Sequence, residues 1–237
     1  MSEHIVKSHG AALDRLRALL AEMGGLVEIQ LGLAAQAILS RDNEAAARAV
    51  EGDPKIDALE REVEDSVVRL LALRQPMAAD LRMVIASLKT ASDLERIGDF
   101  AANAGKRAIA MAQFQARWPL GGLGHMTRLA QQQLRAVVDA FDAGDAQRAA
   151  EVWRGDEAID GIYNTVFREL ITYMMEDPRN ITPCAHLLFI AKNLERVGDH
   201  VTNIAEHLYY AVTGETLPDA RPKSDVSAYA VVRPADA

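Results

Sequence analysis

Four pairs of acidic residues within residues 1–214 of this chain share one spacing, an Asp or Glu followed four residues later by Asp. They are Asp53/Asp57, Glu95/Asp99, Asp156/Asp160 and Glu195/Asp199. On an α-helix, residues i and i+4 lie about 40° apart around the axis and about 6 Å apart along it, so both carboxylates of a pair share one face. Like charges at this spacing cost an isolated helix roughly 0.2–0.5 kcal/mol. A bound cation reverses that sign, because hard cations take several carboxylate oxygens at once. Two such pairs on neighbouring helices would offer four carboxylates to one site.

The placement of the pairs is more informative than their number. LERIGDFAAN at residues 94–103 returns as LERVGDHVTN at residues 194–203, with six of ten positions identical and with Asn103 and Asn203 four residues beyond each Asp. Ile56-Asp57 matches Ile159-Asp160 at an offset of 103, and Leu94-Glu95 matches Leu194-Glu195 at an offset of 100. A three-residue deletion between the second and third helices of the second half accounts for the difference. Every acid pair therefore has a counterpart, as expected of a tandem repeat.

On a helical wheel Glu195, Asp199 and Asn203 fall opposite Leu194, Val197, Val201, Ile204 and Leu208, and the first copy behaves alike. This geometry puts the acid pairs on the outer surface of a bundle. Gly98 and Gly198 sit at the edge of the apolar stripe, where close approach of another helix would offset the cost of a mid-helix glycine, about 1 kcal/mol relative to Ala. The spacing alone leaves two readings open. The pairs hold metal, or they form a solvated face in which Arg96 and Arg196 pair locally with Asp99 and Asp199 and Asp53 is only an N-cap. His200 and His207 lie beside the acidic stripe; His200 stands where the first copy has Phe100, which argues against a shared ligand role. His186 reads as packing.

The elements that must position these residues are helical. Apolar residues make up 49% of the 237, aromatics only 5%, and Gly and Pro are clustered, which suits an all-α chain. The periodicity predicts helices over about 9–39, 44–73 with a break at Gly52-Asp53-Pro54, 75–115, 125–142, a fifth ending near Met175, and a sixth, capped by Thr182-Pro183, running to about Val212. The organisation expected is two tandem antiparallel three-helix bundles, residues 1–117 and 125–214. They are joined by a linker at 118–124 (WPLGGLG) and followed by a flexible tail at 215–237.

A formal net charge of −8 argues against nucleic acid and anionic membrane surfaces as partners. Cys184 is the one cysteine, so no internal disulfide forms and a reducing cytoplasm is expected. The N-terminus has no signal-peptide pattern, and the apolar runs read as too short for a spanning helix, so no direct membrane insertion is expected. There is no Glu-x-x-His of a di-iron bundle, no Walker loop, no Gly-x-Ser-x-Gly and no nucleophile paired with a base.

The strings IDALEREVEDSVVRLLALRQPMAADLRMVIASLKTASDLERIGDFAAN and RNITPCAHLLFIAKNLERVGDHVTNIAEHLYY, with the opening HIVKSHGAALDRLRALLAEMGGL, resemble the PhoU family over roughly residues 4–214. The duplicated Leu-Glu-Arg-Ile/Val-Gly-Asp is the most specific part. The resemblance implies two similar three-helix bundles in a cytoplasmic, homodimeric regulator of phosphate uptake. It also implies negative regulation of the phosphate-starvation response through contact with the ATPase subunit of the phosphate ABC transporter and with a sensor histidine kinase. It implies metal ions at Glu95/Asp99 with Asp53/Asp57, and at Glu195/Asp199 with Asp156/Asp160; Asn103 and Asn203 join these as candidate ligands, and such oxygen donors suit Fe, Mn, Mg or, weakly, Zn. One departure is that Lys106 and Arg107 follow the first copy where Glu206 and His207 follow the second, which puts equal affinity of the two sites in doubt. The expectation is a non-enzymatic metal-binding regulator. The alternatives are a metal-dependent hydrolase or oxidase built on the same carboxylates and an adaptor that binds no metal.

Overall fold

The structure, a computed structural model, describes residues 2–114 and 120–217, with the backbone alone for residues 2–9. The described residues form α1 (Ser2–Ser40), α2 (Asn43–Arg74), α3 (Ala78–Met111), α4 (Gly121–Ala143), α5 (Ala146–Arg154), α6 (Glu157–Glu176) and α7 (Ile181–Thr213), with a 3-10 turn at Pro178–Asn180 before the last. No strand occurs among them. Helices α1, α2 and α3 pack on one another, as do α4, the α5–α6 pair and α7; α1 against α4 and α3 against α7 join the two halves.

The ends of the helices follow their sequence. Asp42 caps α2 by accepting hydrogen bonds from the Glu44 and Ala45 amides at 3.0 Å each, satisfying two of the first-turn donors that a helix leaves unpaired. Gly144 and Gly214 end α4 and α7 in the left-handed conformation, at φ 64° and 78°, which only glycine adopts without steric cost. Two of the three deleted residues fall where Gln75-Pro76-Met77 joins α2 to α3 while Asp177 alone separates α6 from the 3-10 turn, and α6, counted from the matched Ile56 and Ile159, ends one residue earlier than α2 does.

The six expected helices are present, and several details differ. The break predicted at Gly52-Asp53-Pro54 is absent: α2 runs through Pro54 unbroken. The fifth helix is the one that breaks, at Gly155-Asp156, the counterpart of Gly52-Asp53. There the Gly155 carbonyl accepts from Gln133 Nε2 at 2.8 Å, while the Ile159 amide donates to the Asp156 carbonyl at 3.0 Å. A proline removes one donor, whereas this glycine turn diverts the ladder itself. Of the linker assigned to 118–124, Gly121-Gly122-Leu123-Gly124 is the first turn of α4, and Leu123 and Gly124 are buried. Thr182-Pro183 lies inside the first turn of α7 instead of capping it. Residues 115–119 and 218–237, which include the rest of that linker and most of the expected tail, lie outside the described residues.

Segment Gly10–Ser40 of α1 is, contrary to the sequence reading, long and apolar enough to cross a membrane. Its apolar side chains are committed elsewhere: Leu16, Leu20, Met23, Val27 and Leu31 are buried in the core against both halves.

Helices α3 and α7 run antiparallel along the seam between the halves. Arg82 Nε donates to the Ala211 carbonyl at 3.3 Å, and the Arg107 guanidinium lies 4.1 Å from the Phe189 ring centre, so numbers rise along one helix as they fall along the other. At mid-seam Asp93, buried on α3, faces three residues of α7. His200 Nδ1 lies 2.7 Å from Oδ1, His207 Nε2 3.1 Å from Oδ2, and Asn203 Nδ2 donates to Oδ1 at 3.3 Å. Burial works to raise the Asp93 pKa, but the hydrogen bonds from His200, His207 and Asn203 outweigh it and hold the carboxyl below its ordinary value. Replacing a buried acceptor that serves several donors strands them all. Asp93→Ala is therefore expected to cost about 1–3 kcal/mol, read as a lower urea midpoint with an unchanged slope.

Candidate metal centres of the two halves

The first acid site is built between α2 and α3. Asp53 and Asp57 on α2 and Glu95 and Asp99 on α3 are all half-buried. Burial raises the Asp53 carboxyl, with Asp99 and Asp57 adding to it against a hydrogen bond from Gln30 and the charge of Lys106. Burial likewise raises Glu95, followed by Asp99, with Glu60 and Asp57 contributing and Arg96 opposing. These carboxylates therefore feel one another across the two helices, as the repeat predicts. Glu60, one turn beyond Asp57, belongs to the same set; its carboxyl is raised by burial and then by Glu64, with Ser92 donating to it. It was not among the predicted residues because it breaks the i, i+4 pattern and has no acidic counterpart in the second half.

The second acid site lies between the α5–α6 turn and α7. Asp156, Asp160 and Glu195 are 1%, 3% and 5% exposed; Asp199 is half-buried. The expectation of an outer surface is thus overturned for this site and weakened for the first. The wheel placed the acidic face opposite one apolar stripe, but α7 has neighbours on several sides, with α3, α4, α5 and α6 all packed against it. Burial drives the Glu195 carboxyl from 4.5 up to about 6, with Asp199 and Asp160 contributing and Lys192 opposing. Glu195 Oε1 pairs with Lys192 Nζ at 2.8 Å, while Oε2 is buried without a hydrogen-bond partner.

The glycines of the repeat are points of close approach, as expected. A Cβ on Gly198 would stand 2.9 Å from Asp156 Oδ1 and 3.2 Å from Ile159 Cδ1; one on Gly98 would stand 3.0 Å from both Gln30 Oε1 and Ile56 Cδ1.

Other predicted residues are placed differently. Asn203 faces Asp93 on the seam, as do both histidines that had been considered beside the stripe, and Asn103 is exposed on α3. Arg96 does pair locally, at 3.5 Å from Asp99 and 3.7 Å from Glu95. Its counterpart Arg196 stacks instead over the Phe100 ring at 5.7 Å. Glu206, taken as an acidic neighbour of the second site, accepts from Trp153 Nε1 at 2.8 Å. Cys184 is fully buried, a core residue whose thiol burial pushes up.

Among the described residues no group of three or more His, Cys, Asp or Glu is drawn together tightly enough to hold a metal ion as it stands. The donor chemistry nonetheless suits one. Hard oxygen donors meet across each helix pair, the charged forms of Asp53, Glu95 and Glu195 are disfavoured by burial and by neighbouring carboxylates, and one buried carboxylate oxygen, Glu195 Oε2, has no hydrogen-bond partner. A divalent cation supplies the charge such a set lacks.

A carboxyl with a raised folded pKa holds its proton more tightly in the folded chain, so stability is lost as pH rises through that range. Metal-free protein is expected to lose about 2 kcal/mol from Glu195 between pH 4.5 and pH 6 and above. Glu195→Gln should abolish that slope and raise the thermal midpoint at pH 7.5, as calorimetry across the pH range would read.

Comparison with known proteins places this geometry in a family. The PhoU domain profile matches twice, over residues 20–108 and 123–208. A phosphate-specific transport system accessory protein PhoU homolog of Caulobacter vibrioides is 49% identical over 95% of this chain and 99% of its own. A homolog of the same description from Rhizobium meliloti is 44% identical over 94% of this chain and 95% of its own. The crystal structure of PhoU from Pseudomonas aeruginosa superposes with a TM-score of 0.84 at 40% identity, covering 87% of this chain and 99% of that one. The phosphate transport system regulatory protein PhoU from Streptococcus pneumoniae gives 0.82 at 31% identity, covering 89% and 99%. With two matched repeats, near-full-length relatives and the same fold, the chain belongs to the PhoU family.

Proposed function

We propose that this chain is a cytoplasmic, homodimeric accessory regulator of phosphate uptake that binds metal ions at its two acid sites and acts by protein contact. The family is one of accessory and regulatory proteins, and the chain is not an enzyme; its relatives carry the names of phosphate-specific transport accessory proteins. The observation that carries the metal reading is the buried carboxylate set of the second site, above all Glu195 Oε2, which is buried without a hydrogen-bond partner. Asp53, Asp57, Glu95 and Asp99 would hold metal in the first half and Asp156, Asp160, Glu195 and Asp199 in the second. Oxygen donors of this kind favour Mg, Mn or Fe over Zn.

The partners that fit this reading are the ATPase subunit of the phosphate transporter and the sensor histidine kinase of the phosphate response. The α3/α7 seam supports a docking role. Phe189 is 55% exposed on it with the Arg107 guanidinium over its ring, and Arg196 lies over the ring of Phe100. Exposed aromatics flanked by arginine are the side chains that anchor protein interfaces.

Two measurements test the proposal. Purified protein loaded with Mn2+ or Fe2+ should retain metal on elemental analysis, and Asp99→Asn with Asp199→Asn should remove most of it; a metal-free wild type would defeat the metal reading. Deleting the gene should raise expression of phosphate-starvation genes at high phosphate, and Phe189→Asp with Arg196→Glu should reproduce that effect while retaining metal. Unchanged expression on deletion would defeat the regulatory reading.

A further inference from the structure

Each acid site has a glutamine behind it, contributed by the first helix of its half. Gln30 on α1 and Gln133 on α4 stand 103 positions apart, the same offset that separates Asp53 from Asp156. Gln30 is 2% exposed. Its Nε2 donates to the Ala49 carbonyl at 2.8 Å and to Asp53 Oδ1 at 3.2 Å. Gln133 Nε2 donates to the Gly155 carbonyl at 2.8 Å, at the turn that delivers Asp156. Because a backbone carbonyl only accepts, these contacts fix which end of each amide is nitrogen.

The other end of each amide is left without a partner. Gln30 Oε1 and Gln133 Oε1 are both buried and accept no hydrogen bond. An unpaired buried carbonyl costs about 1–3 kcal/mol, and here the cost is incurred twice, at equivalent places. Gln30 Oε1 lies over α3 at Gly98, 3.0 Å from where a Cβ would stand. Gln133 Oε1 lies over α7 at Gly198, where it and Asp156 Oδ1 are 3.9 Å and 2.9 Å from the same point. Each glycine directly precedes the Asp of its acid pair, Asp99 or Asp199. Two nitrogens therefore hold the second helix while two oxygens wait beside the third.

We propose that Gln30 and Gln133 are positioning residues of the two acid sites. Nε2 sets the Asp53 carboxylate in the first half and the Gly155-Asp156 turn in the second. Oε1 would supply a free acceptor for a hydrogen-bond donor brought to the site with the cation. Partners that orient a metal's ligands in this way typically contribute tenfold to a hundredfold in affinity. The amide is neutral, so it supplies an acceptor without adding a further negative charge beside the carboxylates. This inference rests on the metal reading above.

The test is a Mn2+ titration followed by the loss of the free-ion EPR signal. It is run on Asp199→Asn protein, which isolates the first site, and on Asp99→Asn protein, which isolates the second. Gln30→Met is expected to weaken binding about tenfold or more in the first background and not in the second, and Gln133→Met the reverse, with the metal-free thermal midpoints not lowered. Gln30→Asn, which keeps the amide but shortens its reach, should weaken the first site as Gln30→Met does, and stands in if the methionine variant fails to fold. If the wild type takes up no Mn2+, the metal reading fails and this inference with it. If the wild type binds and the folded glutamine variants bind equally well, or if they lose affinity equally at both sites, the positioning role is overturned while the metal reading stands.

Discussion

At Gly98 and Gly198 the third helix of each half has no side chain, and the depth of both acid sites depends on that gap. A methyl group at Gly198 would stand 2.9 Å from Asp156 Oδ1, and one at Gly98 3.0 Å from Gln30 Oε1 and from Ile56 Cδ1, so these side chains would have to shift. With hydrogen there, the second helix settles close enough for its aspartates to meet the Glu and Asp of the third. Close approach removes water from between the carboxylates, and in that drier space their repulsion grows. Burial is the first cause of the raised carboxyls of Asp53, Glu95 and Glu195, and neighbouring acids add to it. A glycine that weakens the helix locally thus sits where carboxylates gather, the setting in which a cation is held.

The third helices serve three neighbours at once, so the acid sites are not isolated from the rest of the fold. Along α7, Leu194, Val197 and Val201 fill the core of its own half, Glu195 and Asp199 turn toward α6, and His200, Asn203 and His207 reach Asp93 on α3. Asp93 is two residues from Glu95, and His200 follows Asp199 directly. A rotation of α7 that closes its acid site would shift its grip on Asp93 as well. The seam therefore joins the helix that carries Glu195 and Asp199 to Asp93, two residues from Glu95 of the first site.

The helix count, the repeat and the pairing of acid sites were legible in the sequence because each is a pattern of spacing. The depth of the sites was not, because a helical wheel has one inside and one outside, and α7 is enclosed on several sides. Pro54 drew the predicted helix break to the wrong half. Proline is a visible breaker, but loss of one donor at Pro54 left α2 intact, whereas a side-chain amide capturing the Gly155 carbonyl is invisible to local sequence rules. Asn203 was read as a ligand from its place in the repeat, yet its orientation is set by Asp93, a residue of the other half. Gln30 and Gln133 share the repeat offset and were detectable in principle; nothing about an isolated glutamine on an apolar helix face draws notice until its partners are seen.

The two halves keep the same scaffold and neutralise it differently. At one equivalent position the first half has Glu60 and the second has Tyr163; at another the first has Ser92 and the second Lys192. In the first half Ser92 donates to Glu60, adding a carboxylate and no charge of opposite sign. In the second, Lys192 pairs with Glu195 at 2.8 Å and lies 5.0 Å from the Tyr163 ring centre. Arg96 beside the first site is 58% exposed, whereas Lys192 is 33% exposed and its carboxylate partner only 6%. Ionic contacts weaken toward solvent, so Lys192 compensates its site more effectively than Arg96 does. An ammonium already resting on Glu195 occupies part of the role a cation would take, and a metal entering there must displace it or share the carboxylate with it. At the first site the competing cation, Arg96, is more exposed and its contacts are longer, at 3.5 Å to Asp99 and 3.7 Å to Glu95. Duplication supplied two equal acid sites, and one substitution on each of two helices made them unequal receivers of positive charge.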